Sequence, residues 1–380
     1  MSRRPPVVVL FGGPSAEHDV SIVSGSAVAA ALAQAGHQVD RVLIDLDGAW
    51  WPLAGAISSA PGGRDSGLGL APADFDSPAA LGAEGPLTSG TVLERLSARE
   101  PRPVVFVALH GPFGEDGTVQ ALLEAADLAY TGSGVAASAL GMDKTLFKRL
   151  VRGLGLPVVD WREVPARRWA DDPAGVLLEL EAFAAGTGDP RLIFKPARLG
   201  SSVGMTLAHD PAERAGALAT AFEHDSLALA ERYVPNAREL EVAVLGNDPA
   251  RLELYGPGEV LSGHEFYDYA AKYSPGVSET SPSAEVDPRQ RATILKIARD
   301  AYRAIGAEGF ARLDFLVEGD TAWLSEINTI PGFTPISLFP AMAAAGGYDF
   351  SALASRIVDL AVDRRDGRVR RRLVPGDLPR

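Results

Sequence analysis

Along the chain, the clearest alternation of apolar and polar positions falls on two neighbouring segments, Phe310–Val317 and Trp323–Thr334, and each reads as a β-strand of period two. In the first, Arg312 and Asp314 share a face; in the second, Leu324, Glu326 and Asn328 share one. Charged groups thus occupy strand positions that ordinarily carry apolar side chains. The intervening Glu318–Thr321 has turn composition, and a loop of odd length sets Asp314 directly opposite Glu326. Two facing carboxylates repel unless a cation lies between them. Oxygen-only donors, two carboxylates and an amide, suit Mg²⁺. The solvated outer face of an antiparallel hairpin is the other reading of the same pattern.

The first third of the chain has a βαβ pattern that predicts an open α/β sheet. Val7–Leu10 is a strand ending in Gly12-Gly13, a helix follows over Ser21–Ala35, and Val39–Ile44 and Val104–Leu109 are further strands. Between the last two, Asp47–Gly90 is rich in Gly, Pro, Ala and Ser with little periodicity and reads as an insertion. From Gly132 the pattern changes: helices at Val135–Leu140 and Lys144–Gly153, a strand at Val158–Val164, a helix at Pro173–Ala185, then Arg191–Lys195 and a glycine-rich loop. A third part begins near Leu227, with several strands, a loop over Leu261–Ser283, a helix at Pro288–Ile305, the carboxylate hairpin and a helix at Phe350–Val362. The tail Arg364–Arg380 is charged and expected to fray.

Composition narrows the function classes. The chain has 380 residues, 46% of them hydrophobic, enough for two or three domains, and no apolar run long enough to span a bilayer. The first six residues lead straight into a strand, leaving no room for a signal peptide, and cysteine is absent, so a cytoplasmic location is expected. A net charge of -13 argues against nucleic-acid or anionic-membrane partners. Five lysines stand against thirty-one arginines, which singles out Lys144, Lys195 and Lys272 for individual attention. Oligomeric state is not legible, a homodimer being one allowed arrangement.

Phosphate chemistry is suggested by Phe194–Met205, a strand, a flexible loop and a strand. Glycines there let the backbone approach an anion, serine hydroxyls and N–H groups can cradle oxygens, and Lys195 brings charge from the strand. An ordinary hairpin loop has the same composition. No Gly-Lys-Ser/Thr opens a helix, so this is not a Walker loop. Gly200-Ser-Ser-Val-Gly204 also satisfies the serine-hydrolase elbow pattern, but Met205–Leu207 alternates like a strand where that motif requires a helix.

Further clusters complete the constellation: Phe11-Gly-Gly-Pro-Ser-Ala-Glu-His-Asp-Val-Ser21, Ala108-Leu-His-Gly111, Gly114-Glu-Asp-Gly-Thr118, Thr131-Gly-Ser-Gly134, Met142-Asp-Lys144 and Glu265–Tyr273. In this order, with the glycine loop and the hairpin, the chain resembles the D-alanine:D-alanine ligases, ATP-grasp enzymes of bacterial cell-wall synthesis. The resemblance covers nearly all of the chain except Asp47–Gly90 and the tail. It implies an N-terminal open parallel α/β domain (1–131) and two α+β domains (132–228 and 229–364) that hold ATP between them, followed by a charged tail (365–380).

Residue by residue, the resemblance makes Lys144 and Lys195 neutralisers of the ATP phosphates, under a loop of Gly200, Ser201, Ser202 and Val203. Glu231, Arg232, Tyr233 and Val234 become the adenine strip, and Glu239 the ribose carboxylate. Asp314, Glu326 and Asn328 match the ligands of two Mg²⁺ ions, with Mn²⁺ able to substitute. ATP phosphorylates the first D-alanine, and the amine of the second attacks the acyl phosphate. Arg312 and the Gly332 N–H stabilise the tetrahedral oxyanion; a plain counter-ion for Asp314 is the other reading of Arg312. Glu17, which could otherwise complement the helix dipole, anchors the first ammonium in a network with Ser201 and Tyr273. His110, alternatively a satisfied histidine at a sheet edge, lies near the substrate carboxylates. Ser337, at a helix amino end, binds the second carboxylate. Lys272 and Tyr273 sit on a lid over Leu261–Ser283 that excludes water. The retained Tyr-bearing loop favours an amine over D-lactate as second substrate; a depsipeptide ligase or another carboxylate-amine ligase is the alternative.

Overall fold

The computed structural model describes residues 4–53, 71–262 and 278–369. Three sheets organise them. The first has five strands in the order Trp50–Leu53, Val39–Ile44, Val7–Gly12, Val104–Val107, Ala129–Tyr130. All pairs are parallel except that of Trp50–Leu53 with Val39–Ile44. Val7–Leu10 and Val104–Val107 are continuous apolar runs, as befits strands covered on both faces. The helix His18–Gln34 packs on the sheet, and the carboxyl ends of the strands deliver Gly12-Gly13 and His110 to one edge, where open α/β sheets place ligand sites.

The expected insertion Asp47–Gly90 is corrected at both its ends. Trp50–Leu53 is an edge strand of the first sheet; the short 3₁₀ turn Pro78–Leu81 docks on it, and the turn Pro72–Phe75 docks on the helix His18–Gln34. Phe75 packs edge-on against Phe11, with ring centroids 5.5 Å apart. A helix at Ser89–Ser97, with Val92, Leu93 and Leu96 buried, follows.

The second sheet is antiparallel, in the order Trp161–Pro165, Leu227–Arg232, Leu192–Pro196, Thr206–Ala208. A domain boundary at residue 228 would therefore cut a strand; the sheet carries it to the connection after Arg232. Trp161–Pro165 is shorter than the strand expected over Val158–Val164, because Val158 instead bridges Leu324 of the hairpin. The third sheet runs Ser278–Ser281, Glu253–Ser262, Arg238–Leu245, Phe310–Glu318, Thr321–Asn328, all antiparallel. The loop expected over Leu261–Ser283 is strand at both ends, with Leu261 opposite Glu279. Residues 263–277, with Lys272 and Tyr273, lie outside the described residues.

Two further corrections concern the hairpin. Its turn is the two residues Gly319-Asp320, with Glu318 opposite Thr321, so the odd-length loop is not what aligns the carboxylates. Unbroken, that register would set Asp314 against Ser325. An extra residue at Ser325 shifts it by one, and beyond this bulge Asp314 faces Glu326 and Arg312 faces Asn328. The bulge also separates Leu324 from the polar face: Leu324 is fully buried with Leu313, Phe315 and Ile327.

The last helix runs from Phe350 to Val369 and does not fray at Arg364. Its apolar side, Leu353, Ile357, Val358 and Ala361, completes the core of the first sheet, so this helix belongs with the N-terminal unit in packing. Arg364 is buried, donates to the carbonyls of Tyr130 (2.7 Å) and Gly132, and stacks 4.1 Å from the Tyr130 ring. Arg365 pairs with Asp127, and Arg368 with Glu124. Arg364→Ala should lower stability by about 2–4 kcal/mol, since it leaves two buried carbonyls without donors. Denaturant unfolding checks this, and a loss below about 0.5 kcal/mol would mean the tail is dispensable.

Candidate active site

The polar face of the hairpin is a charge-balanced cluster. Arg312 forms a two-pronged pair with Asp314 (2.7 Å) and lies 3.1 Å from Glu241, the residue opposite Asp314 on the neighbouring strand. Burial works against the Arg312 charge, but Asp314 and Glu241 outweigh it and hold its pKa above the ordinary guanidinium value. Asn328 donates to Asp314 at 2.9 Å, and Glu326 lies 3.4 Å from the Lys144 ammonium. No three acidic or histidine side chains close on one point among the described residues. The oxygen donors this face offers are two cross-strand carboxylates, Asp314 and Glu326, and the Asn328 amide. That set fits Mg²⁺, which keeps water and phosphate oxygens in the rest of its shell.

Lys144 opens the helix Lys144–Gly153, which Asp143 caps by accepting the N–H groups of Thr145 and Leu146. Its ammonium donates to the Leu199 carbonyl at 2.6 Å, fastening the glycine loop. In that loop Ser201 and Ser202 both have φ in the left-handed region, +51° and +56°, a conformation uncommon outside glycine. The N–H of Val203 donates to the Gly200 carbonyl at 3.2 Å. Lys195 pairs with Glu231 at 2.7 Å, and Lys148, fully buried one helical turn beyond Lys144, pairs with the other oxygen of Glu231 at 2.9 Å. The strip after Glu231 is mostly buried: Tyr233 lies under Arg191 (4.3 Å to the ring) and Val234 is 5% exposed. Arg232 turns to Glu318 (3.5 Å) and the Trp323 ring. Glu239 sits on the third sheet, opposite Val260 and Leu316.

At the edge of the first sheet, Glu17 is the residue before the helix His18–Gln34, yet its side chain does not cap it. One carboxylate oxygen instead accepts from the Ser201 hydroxyl of the glycine loop. The other, Oε2, is buried with no hydrogen-bond partner among the described residues. Gly111 and Gly200 make room for it: a Cβ would lie 2.6 Å from Oε2 at the first and 3.0 Å at the second. An orphaned carboxylate oxygen walled by glycines is built to receive a compact cation.

His110 and Glu115 clamp the backbone of one residue, Ile330. The Ile330 carbonyl accepts from His110 Nδ1 (3.1 Å), which leaves Nε2 to accept the Ser24 hydroxyl (2.9 Å), and burial lowers the His110 pKa in keeping with a neutral ring. The Ile330 N–H donates to Glu115 (3.0 Å), whose other oxygen takes the Gly111 N–H (2.8 Å). The clamp fixes the chain leading from the hairpin to Gly332 and Ser337. Ser337 precedes the helix Leu338–Ala345 without capping it; its hydroxyl accepts the Thr334 N–H at 3.1 Å, and a Cβ on Gly332 would stand 3.4 Å from it.

Four of these residues escaped sequence reasoning as individual site members: Glu241, Lys148, Glu115 and Ser24. Glu241 is two positions from Glu239 on a strand and so shares its face. Lys148 is one of five lysines and four residues from Lys144. Glu115 lies inside a motif already noticed. Ser24 carries no signal, being one of several small residues on the first helix.

A parallel α/β unit followed by two antiparallel lobes, with lysines, a glycine loop and a carboxylate hairpin at their meeting point, defines an enzyme of the ATP-grasp class. Family models for the D-ala D-ala ligase N-terminus and C-terminus match residues 6–133 and 150–359. The D-alanine--D-alanine ligase of Kineococcus radiotolerans is 41% identical, covering 96% of this chain and 98% of that protein; that of Deinococcus radiodurans is 37% identical over 96% and 100%. Among solved structures, the D-alanine-D-alanine ligase of Coxiella burnetii superposes with a TM-score of 0.78 at 29% identity, covering 96% of this chain and 97% of that one. The VanG D-Ala:D-Ser ligase of Enterococcus faecalis gives 0.77 at 28% identity, over 94% and 99%. The chain belongs to the D-ala D-ala ligase family. No helix among the described residues is long and apolar enough to cross a membrane.

Burial, and then the Glu17 charge, push the Glu115 carboxyl up to about 8. Because the fold raises this pKa above its unfolded value of 4.5, its stabilising contribution is full below pH 4.5 and is lost as the pH rises through about 8. The melting-temperature advantage of the wild type over Glu115→Gln should therefore shrink between about pH 5 and pH 9. A constant difference over that range would show that the carboxyl ionises at its ordinary pH.

Proposed function

We propose that this chain joins two D-alanines to D-alanyl-D-alanine, converting ATP to ADP and phosphate, for peptidoglycan synthesis. The observation that carries this reading is the orphaned Glu17 Oε2, a cation-receiving atom bonded through its sister oxygen to the loop that covers the phosphate site. It fits the ammonium of an amino acid whose carboxylate lies toward Arg312.

In this reading, Lys144 and Lys195 hold the nucleotide phosphates and the backbone of the Glu231–Val234 strip meets the adenine, with Glu239 on the ribose. Mg²⁺ at Asp314, Glu326 and Asn328, as two ions that Mn²⁺ could replace, supplies charge neutralisation on the phosphates when bound. The first D-alanine carboxylate attacks the γ-phosphorus, forming an acyl phosphate and releasing ADP. The amine of the second then attacks the acyl carbon, forming the peptide bond and expelling phosphate. This chain's part is placement and charge. Glu17 fixes the first substrate, His110 and Ser337 orient the carboxylates, and Arg312 with the Gly332 N–H holds the oxyanion. The roles of Lys272 and Tyr273 rest on family resemblance alone.

Phosphate release should depend on ATP, Mg²⁺ and D-alanine and yield ADP with a D-alanyl dipeptide; AMP and pyrophosphate as products would overturn the reading. The VanG likeness makes D-serine a necessary arm of the same assay, beside D-lactate. D-Alanine should be the preferred second substrate, and higher kcat/KM with D-serine or D-lactate would reassign the enzyme.

Glu17→Gln removes the charge but keeps the shape. It should lower kcat/KM for D-alanine about ten- to a hundredfold while leaving the KM for ATP within about twofold. An equal loss on ATP would move Glu17 to the nucleotide site.

A further inference from the structure

Lys148, Glu231 and Lys195 form a row of three charges sealed from solvent. Their side chains are 0%, 4% and 6% exposed, and each lysine takes one oxygen of the single carboxylate. The row carries one surplus positive charge. Burying an uncompensated cation is costly, and a cost of this kind is tolerated where an anion arrives to balance it. Lys195 is the member able to meet that anion, since it lies on the strand Leu192–Pro196 that feeds the glycine loop. Lys148 cannot reach a ligand. Its ammonium is enclosed by the Val159 carbonyl (3.2 Å), Glu231 and the Trp161 ring (5.4 Å), and Arg152 covers the same ring at 4.1 Å.

The charge balance assigns the two lysines different tasks. Had Glu231 only Lys195, turning that lysine toward a phosphate would abandon a carboxylate that is 3% exposed. With Lys148 in place, Glu231 stays neutralised and Lys195 is the spare cation. Burial pushes the Glu231 carboxyl up, but the two lysines more than offset it, and the net displacement is downward, so Glu231 remains ionised. We infer that Lys148 is a positioning residue of the nucleotide site: it serves as the permanent counter-ion of Glu231 and thereby releases Lys195 to bind the phosphates. Lys144 and Lys148, one helical turn apart, then play complementary parts, the first toward the ligand and the second behind it.

This inference rests on the nucleotide reading above, and the test separates the two. ADP with Mg²⁺ is titrated calorimetrically into wild type, Lys148→Met, Glu231→Gln and the double variant, and the KM for D-alanine is measured at saturating ATP. Lys148→Met should weaken ADP binding about ten- to a hundredfold, with the D-alanine KM within about twofold of wild type. Removing the stranded carboxylate should rescue it, so that the double variant binds ADP within about threefold of Glu231→Gln. A wild type that binds no ADP would overturn the nucleotide reading. Unchanged ADP affinity in Lys148→Met, or a double variant ten times weaker than Glu231→Gln, would overturn this inference alone. Should Lys148→Met fail to fold, the double variant, which strands no carboxylate, decides by the same comparison.

Discussion

Compensation of buried charge governs the centre of this molecule. Arg312 is held between Asp314 and Glu241, Lys144 beside Glu326, and Lys195 with Lys148 on Glu231, all on framework strands or in the helix Lys144–Gly153. Such groups could not be carried out of water singly. The Arg312 cluster lies within the third sheet and the Lys195–Glu231 pair within the second, and the helix of Lys144 and Lys148 joins them, Lys144 reaching Glu326 of the third sheet and Lys148 reaching Glu231 of the second.

A second constraint is the backbone of the single residue Ile330. Its carbonyl and N–H are both claimed by residues of the first sheet's edge, His110 and Glu115. The hairpin end is thereby tied to the same loop whose Gly111 lies against Glu17. These bonds connect the Glu17 loop to the carboxylate hairpin through satisfied backbone groups with little freedom to drift.

Much of this was legible in the sequence, for identifiable reasons. Period-two alternation exposed Arg312, Asp314, Glu326 and Asn328, because charges on a strand face stand out against an apolar background. The pairing of Asp314 with Glu326 was legible too, but its cause was not: composition at Glu318–Thr321 signals a turn without fixing its length, and nothing marks Ser325 as a bulge. The expected helix starts at Val135, Lys144, Pro173, Pro288 and Phe350 coincide with the observed ones, and the large departure is the carboxyl end of the last helix, which runs on to Val369. The segment from Arg364 onward read as a charged tail that frays because the residues that fix it, Arg364, Arg365 and Arg368, act on carbonyls and carboxylates more than two hundred positions away. Lys148 was hidden in plain composition, since a buried lysine in a helix looks like a solvated one until its neighbours are known.

That distant helix bears on how the protein is made. Residues 350–369 supply one wall of the N-terminal core, and Arg364 is separated by 234 positions from the carbonyl of Tyr130 that it satisfies. The parallel sheet is synthesised more than two hundred residues before this helix, so an apolar face of it stays open over that stretch. At roughly 5–20 residues per second, the remaining two hundred or so residues impose a wait of about ten to fifty seconds. During that interval the nascent sheet presents Val, Leu and Ala surface that a chaperone, or another unfinished chain, could cover in place of the helix.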